Sequence, residues 1–305
     1  MKKILLLIFF SIFLFSCMKK AKDNPDRQLR IGVIQFVSHP ALDRSLKGFK
    51  EGLKDNKNIT FIVKNANGEI STANIIASSF ERERVDLIYA IATPSAQAAM
   101  HATINIPIIF SAVTNPKESG VVASNITGVS DYVDIQEQLS LLKKIDKSIK
   151  TIGALYNSSE SNSLSIINQL KKACKNLNFD LELKSVTQIS EVPQAVKYLV
   201  TKVDAVYTPT DNLIASVLPI ISDEAIKQKK IVIGSERAHV EAGALITKGI
   251  DYFNLGLAAS DIAKKILFDK EKISNIPVVT VKLTDLQINQ NTLKKIGIKL
   301  PNDLK

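Results

Sequence analysis

Five polar clusters stand where apolar runs of this chain end. Asp86–Ala92 leads into Thr93-Pro94-Ser95-Ala96-Gln97, Ile106–Phe110 into Ser111-Ala112-Val113-Thr114, and Thr151–Tyr156 into Asn157-Ser158-Ser159-Glu160-Ser161-Asn162. Ala205–Tyr207 runs into Thr208-Pro209-Thr210-Asp211-Asn212, and Ile231–Ile233 into Gly234-Ser235-Glu236. Pro94 suits a first helical position, Thr93 can cap it, and the free N–H groups of Ser95, Ala96 and Gln97 would then face outward. Such a terminus binds a carboxylate or another anion without a lysine. Ordinary capping and turn chemistry use the same residue types, so one cluster alone says little. Five of them, drawn from both halves of the chain, read as a polar-lined cleft. Gln35 adds a lone amide inside the first apolar run, where it needs a partner.

Catalytic patterns are missing from the sequence. It has no Gly-x-Ser-x-Gly elbow, no Walker loop, no Gly-x-Gly-x-x-Gly and no His/Cys metal spacing, so no enzyme, cofactor or metal is expected. The three histidines, His39, His101 and His239, lie far apart. His39, beside Pro40 at a strand end, is the one whose position could touch the cleft; His101, late in a helix, reads as surface or structural.

These clusters need elements to hold them. Arg30–Val37, Ile59–Val63, Asp86–Ala92 and Ile106–Val113 read as buried strands, with helical spacing at Leu42, Leu46, Phe49 and Leu53 and near Thr72–Arg84 and Pro94–Thr103. The cycle restarts with strands at Thr151–Asn157, Asp180–Val186, Ala205–Thr208 and Ile231–Gly234 and a helix near Ser163–Leu177. A βαβ pattern given twice predicts an α/β fold of two Rossmann-like lobes with open, mostly parallel sheets. Ligands bind at the carboxyl ends of such strands, where the five clusters lie. Ser124–Val133 reads as a polar connector without helical period. The expected lobes are residues 29–130 with 245–272, and 131–244 with 273–305; helix Phe253–Phe268 is expected on the first and Val278–Leu283 on the second.

The chain opens with Lys2, Lys3 and an apolar run from Ile4 to Phe15, followed by Ser16 and Cys17. A basic start, a short apolar core and a small residue before a cysteine form an export signal of the bacterial lipoprotein type. Residues 1–16 are then removed, Cys17 carries lipid such as palmitate, and residues 17–28, polar and containing Pro25, form a tether on the extracytoplasmic face. The apolar run is too short for a permanent span of about 20 residues. Roughly 290 residues remain, enough for two domains. A hydrophobic fraction of 45% and a charged fraction of 23% exclude a disordered chain. The net charge of +10 is spread over lysines on helical faces, such as Lys171, Lys172, Lys264 and Lys265, without the aromatic-interleaved stripe that nucleic acid needs. Beside Cys17 only Cys174 remains, so an internal disulfide is excluded.

Several stretches resemble one bacterial family. His39-Pro40-Ala41-Leu42-Asp43, Ala92–Ala98 (ATPSAQA), Pro107–Val113 (PIIFSAV), Tyr207–Ser216 (YTPTDNLIAS) and Gly243–Tyr252 (GALITKGIDY) are similar, in matching order from about Arg30 to Pro301, to the tryptophan/tyrosine-type substrate-binding proteins of ABC transporters. The resemblance implies a type I periplasmic-binding fold, two lobes joined by three crossovers, and an ABC permease as partner. It implies an amino-acid-like ligand, with Trp, Tyr and Phe as candidates, and a monomer. Under that reading the helix starting at Pro94 would hold the ligand carboxylate through Ser95 and Ala96, with Thr93 and Ser111 nearby and Ala112 in the lining. Asp211 is the first choice for its ammonium, because a cleft carboxylate compensates a buried cation; Glu236 and Glu160 follow. Asn157, Asn162, Thr210, Asn212 and Ser235 complete the expected lining. Family members read Asn-x-x-Glu-Pro-Asn-Ser where this chain has Ser161 in place of the proline. Phe36, Tyr132, Tyr156 and Tyr252 are candidates for stacking on an aromatic ligand. A lipid-anchored sensor for a signalling receptor, or a binder of another small molecule, would have the same sequence features.

Overall fold

The computed structural model describes residues 27–304, so Cys17 and the signal lie outside the described residues. The first sheet is built from β1 (Leu29–Gln35), β2 (Ile59–Asn65), β3 (Leu87–Ile91), β4 (Ile108–Ser111) and β5 (Ile126–Ser130). Between these strands run α1 (Pro40–Gly52), α2 (Ile70–Glu83) and α3 (Thr93–Ala102). The second sheet has β6 (Thr151–Asn157), β7 (Asp180–Val186), β8 (Ala205–Thr208), β9 (Ile231–Gly234) and β10 (Ile246–Thr247). Its helices are α4 (Ile135–Ile145), α5 (Ser161–Asn176), α6 (Val192–Val200), α7 (Asn212–Ser216), α8 (Leu218–Lys227) and α9 (Arg237–Glu241). After α10 (Tyr252–Leu267) come β11 (Val279–Thr280), β12 (Gln287–Ile288) and α11 (Gln290–Ile296).

Strand order is β11-β5-β4-β3-β1-β2 in one sheet and β12-β10-β9-β8-β6-β7 in the other. Pairing is parallel throughout, except that β12 runs antiparallel to β10. The two-lobed α/β expectation is borne out. Central strands such as β3 (LIYAI) are apolar and buried along their whole length, because helices cover both faces of a parallel sheet. Each sheet reverses its order once, between β1 and β3 and between β6 and β8. These reversals open the crevice in which α/β sheets take ligands.

Three short strands differ from the sequence expectation. Ser124–Val133 contains β5, paired with β4 and β11, rather than a bare connector. Its Gly128 hides the strand pattern, yet any Cβ there would lie 2.2 Å from the Phe110 carbonyl oxygen. Val279–Thr280, expected in the second lobe, pairs with β5 of the first, and Val281 and Leu283 pack on the first lobe's core. Residues 246–247, expected in the first lobe, pair with β9 in the second sheet, with Leu245 and Ile246 in that core. Two-residue strands carry no period from which a partner could be read. The chain thus crosses between lobes after β5, before α10 and between β11 and β12. Helix α10 packs along α1 so closely that a Cβ on Gly256 would meet the Ser45 carbonyl oxygen at 2.0 Å. Among the described residues, no helix is long and apolar enough to cross a membrane.

Candidate functional site

The loops at the two reversal points face each other across the lobes. In the first lobe, α3 starts directly from β3 through Ala92, held at φ 81°, ψ 157°. That region is almost confined to glycine, and an alanine there stores about 1–3 kcal/mol of strain. Ala112, after β4, has φ 58°. Two strained alanines at adjacent strand ends mark a surface shaped for something other than stability. The first helical bond of α3 runs from the Ala96 amide to the Ala92 carbonyl, so the amides of Thr93 and Ser95 lie outside the ladder. Both hydroxyls are buried without a partner. Ala96, one turn in, is fully buried.

Further buried polar atoms without hydrogen-bond partners lie on both lobes. They include both ring nitrogens of His39, Asp131 Oδ1, Asn162 Oδ1, Ser235 Oγ and Glu236 Oε2. His39, Leu42, Ala112, Asp131 and Tyr252 enclose an inner cavity with Asn162, Thr210, Asp211, Asn212, Ala215 and Glu236 of the second lobe. Asp131 accepts a 2.6 Å bond from the Tyr252 hydroxyl, and burial lifts its carboxyl to about 6. Burial also pushes the His39 imidazole below its usual pKa, against the pull of Glu236. The other Glu236 oxygen lies 3.0 Å from His239 Nε2, at an angle too sharp for a hydrogen bond, while His239 Nδ1 meets Thr208 Oγ1 at 3.0 Å.

Two expected site residues turn inward. Ser111 belongs to a closed trio with Ser45 and Tyr89, all within 2.8 Å, inside the first lobe. Gln35 donates to Val37 O and to Asp43 Oδ1 at 2.6 Å, so its amide is satisfied beside its own strand. Asp211 lines the cavity, but its donors come from its own lobe. Oδ2 accepts from the Asn157 amide at 2.6 Å and Ser163 Oγ at 2.7 Å, and Oδ1 from the Ile214 amide at 3.0 Å. That carboxylate caps α7 and ties it to the loop after β6. Burial raises its pKa, and these donors oppose the rise.

Glu160 receives the side-chain amides of Asn157, at 3.0 Å, and Asn212. Burial, with the Asp211 charge second, lifts its carboxyl to about 7. Asn162 donates to the Thr210 carbonyl, and Thr210 meets Thr114 of the first lobe at 3.2 Å. Glu160, Asn157 and Asn212 also border a larger outer cavity of about 370 Å³, whose opposite wall is Phe36, Val37 and Asn67–Glu69. Of the aromatic candidates, Tyr252 faces the inner cavity and Phe36 the outer one; Tyr132 is exposed and Tyr156 packs on the second core. Sequence reasoning missed Asp131, because its position at a strand end was invisible while β5 was read as a connector. It also missed Leu42 and Ala215, which carry no polar signal. His101 is exposed on the last turn of α3.

Further contacts join the lobes directly. Gln97 Nε2 donates to Ser161 Oγ at 3.1 Å, Ser165 bonds Glu118, and Arg44 lies 3.6 Å from Glu241.

Comparison with known proteins places this geometry. The family described as ABC transporter substrate binding protein matches residues 30–305. A tyrosine-binding protein of Clostridioides difficile is 43% identical over 289 residues, covering 91% of this chain and 84% of that protein. Among solved structures, an ABC domain in complex with L-Trp from Streptococcus pneumonia superposes with a TM-score of 0.86 at 33% identity, covering 91% of this chain and 97% of that one. A ligand-free, open substrate-binding protein with adhesive properties from Clostridium difficile has a TM-score of 0.68 at 41% identity, covering 90% and 97%. This chain belongs to the ABC transporter substrate-binding proteins.

Proposed function

We propose that this chain is the extracytoplasmic, lipid-anchored receptor of an ABC importer, closing its lobes on an amino acid of the tyrosine or tryptophan kind and presenting it to a permease. One observation carries the reading: His39 and Asp131 of the first lobe and Asn162 and Glu236 of the second, each with a buried polar atom lacking a partner, line the same inner cavity. Native proteins pair nearly all such groups, so a set of them facing one space fits a polar ligand. The Thr93 and Ser95 hydroxyls and amides at the start of α3 suit an α-carboxylate. Asp131 and Glu236, each with an unpaired oxygen, suit the α-ammonium better than Asp211, whose oxygens already have donors. The inner cavity is tight, about 10 Å³ at the size of a water molecule, so the head group seats with a slight parting of the lobes.

The lobe arrangement supports a closed form. The superposition is better with the L-Trp complex than with the open, ligand-free protein, although the latter is the more identical in sequence. A hinge rotation separates two structures in that way. The contacts of Gln97 with Ser161 and of Thr114 with Thr210 would exist only in a closed form.

The test is a titration of ligand-stripped protein with L-Trp and L-Tyr, followed by calorimetry. The chain has no tryptophan, so L-Trp fluorescence, excited at the red edge where tyrosine does not absorb, reports binding. Saturable heat with L-Tyr or L-Trp is expected. An absence of heat and of fluorescence change with both would refute the amino-acid reading.

A further inference from the structure

Glu160 is an unusual group to keep in the wall of the outer cavity. It is 2% exposed, and among the described residues no lysine, arginine or histidine forms an ion pair with it. Two carboxamides hold it instead. Asn157 has its orientation set by the Ser159 amide, which donates to Oδ1 at 3.0 Å, so its NH2 is turned toward Glu160. Asn212 gives its NH2 to the other oxygen. A carboxylate offers about four acceptor positions, and these amides use one on each oxygen. Glu160 lines the outer cavity together with Phe36, Val37 and Leu213. Asn212 lines both cavities, so the inner and outer spaces lie on either side of it.

We propose that Glu160, braced by Asn157 and Asn212, accepts a hydrogen bond from the ring of an aromatic ligand side chain in the outer cavity, so that this chain selects donor-bearing rings over phenylalanine. The inference rests on the amino-acid reading above and adds the determinant of ring selectivity. With the head group at α3 and Asp131, the side chain of the ligand leads outward past Asn212. The apolar wall of Phe36, Val37 and Leu213 covers the ring face, and the acceptor-only carboxylate meets a phenol O–H or an indole N–H. Phenylalanine supplies no donor and leaves desolvated the acceptor positions that Asn157 and Asn212 do not fill, a situation in which binding sites discriminate strongly. Burial lifts the Glu160 carboxyl to about 7, and a donor from the ligand compensates the charged form. If Glu160 served only to tie the loops after β6 and β8 together, ring chemistry would not matter to it.

The experiment is a calorimetric comparison of L-Tyr, L-Trp, L-Phe and para-methyl-L-phenylalanine on ligand-stripped protein and on Glu160→Gln. In the native chain, L-Phe and the para-methyl analogue should bind about 10- to 100-fold more weakly than L-Tyr. The para-methyl group keeps the size of the hydroxyl and removes only its proton donor. In Glu160→Gln the L-Tyr to L-Phe ratio should shrink at least about fivefold, with L-Phe affinity held within about threefold, which also shows that the variant is folded. Equal affinities of the native chain for L-Tyr and para-methyl-L-phenylalanine overturn the proposal without needing any variant. So does an unchanged ratio in a folded Glu160→Gln. Binding to none of the four would instead sink the amino-acid reading, and this inference with it.

Discussion

At the scale of single residues, the site is held in an unfavourable state that a ligand can relieve. Ala92 keeps a backbone conformation suited to glycine, and Asp131 keeps a carboxyl whose pKa burial lifts from 3.8 to about 6. Between those values the folded protein holds a proton more tightly than the unfolded chain. This group therefore stabilises the fold at acid pH, and that contribution is lost as pH rises through about 6. Asp131→Asn removes the ionisation but keeps an acceptor for the Tyr252 hydroxyl. Ligand-stripped Asp131→Asn should melt higher than the native chain near pH 7.5, by on the order of 1 kcal/mol or about 2–4 °C, and the gap should close near pH 4.5. Its affinity for the amino acid should fall at least about tenfold, because the ammonium loses a charged partner. Scanning calorimetry at both pH values checks the first part. A lower melting point near neutrality would mean that the carboxylate is kept for the fold and not for a ligand.

The elements around the site are joined by close backbone contact as well as by side chains. Gly48 and Gly256 let α1 and α10 touch backbone to backbone, since a Cβ on Gly48 would lie 2.1 Å from the Phe253 carbonyl oxygen. α10 follows directly on Asp251, which caps it and receives both Arg44 and Arg237. A shift of this helix would displace Tyr252 and so loosen Asp131. Gly256→Ala should destabilise by about 1–3 kcal/mol despite alanine's better helix propensity, because the obstruction is backbone and cannot rotate away. A thermal melt measures this; a Tm within about 1 °C of the native value would show that the two helices can part without penalty. At the start of α5, Ser161 stands where relatives of this type carry proline. Its hydroxyl accepts a bond from Gln97 of the other lobe, a contact that a proline side chain cannot make.

For the molecule as a whole, two sheets of one strand order face each other across a hinge of three crossings. Under the proposed function, such an arrangement would let a small ligand control a large motion, since the same ligand would complete polar surfaces on both lobes. A receptor of this kind works beside its permease, which gives the proposed lipid on Cys17 its purpose. One acyl chain holds a protein only marginally, so two or more are required. Cys17→Ser should move the protein from the membrane fraction to the soluble fraction while its affinity for the amino acid stays within about twofold. Fractionation followed by titration tests both halves. Retention in the membrane, or loss of binding along with the anchor, would contradict the separation of tether from receptor.

The two-lobed α/β class and the family resemblance were legible in the sequence, as was the gathering of polar residues at strand ends. These depend on local patterns: long buried strands, helical spacing and polar residues at strand ends. Only the tertiary structure decided which polar residue faces the cleft. Asp211 and Asp131 both follow strands. One is enclosed by donors from Asn157, Ser163 and Ile214, whereas the other keeps a bare oxygen. Ser111 looks in sequence like Ser95, yet it closes a trio with Ser45 and Tyr89. The pairing of Val279–Thr280 with β5 likewise depends on where a distant strand edge lies in space. Residue type shows that a group can bond. The partners that satisfy it can come from distant segments, as Tyr252 does for Asp131 across a separation of 121, and only the folded chain brings them together.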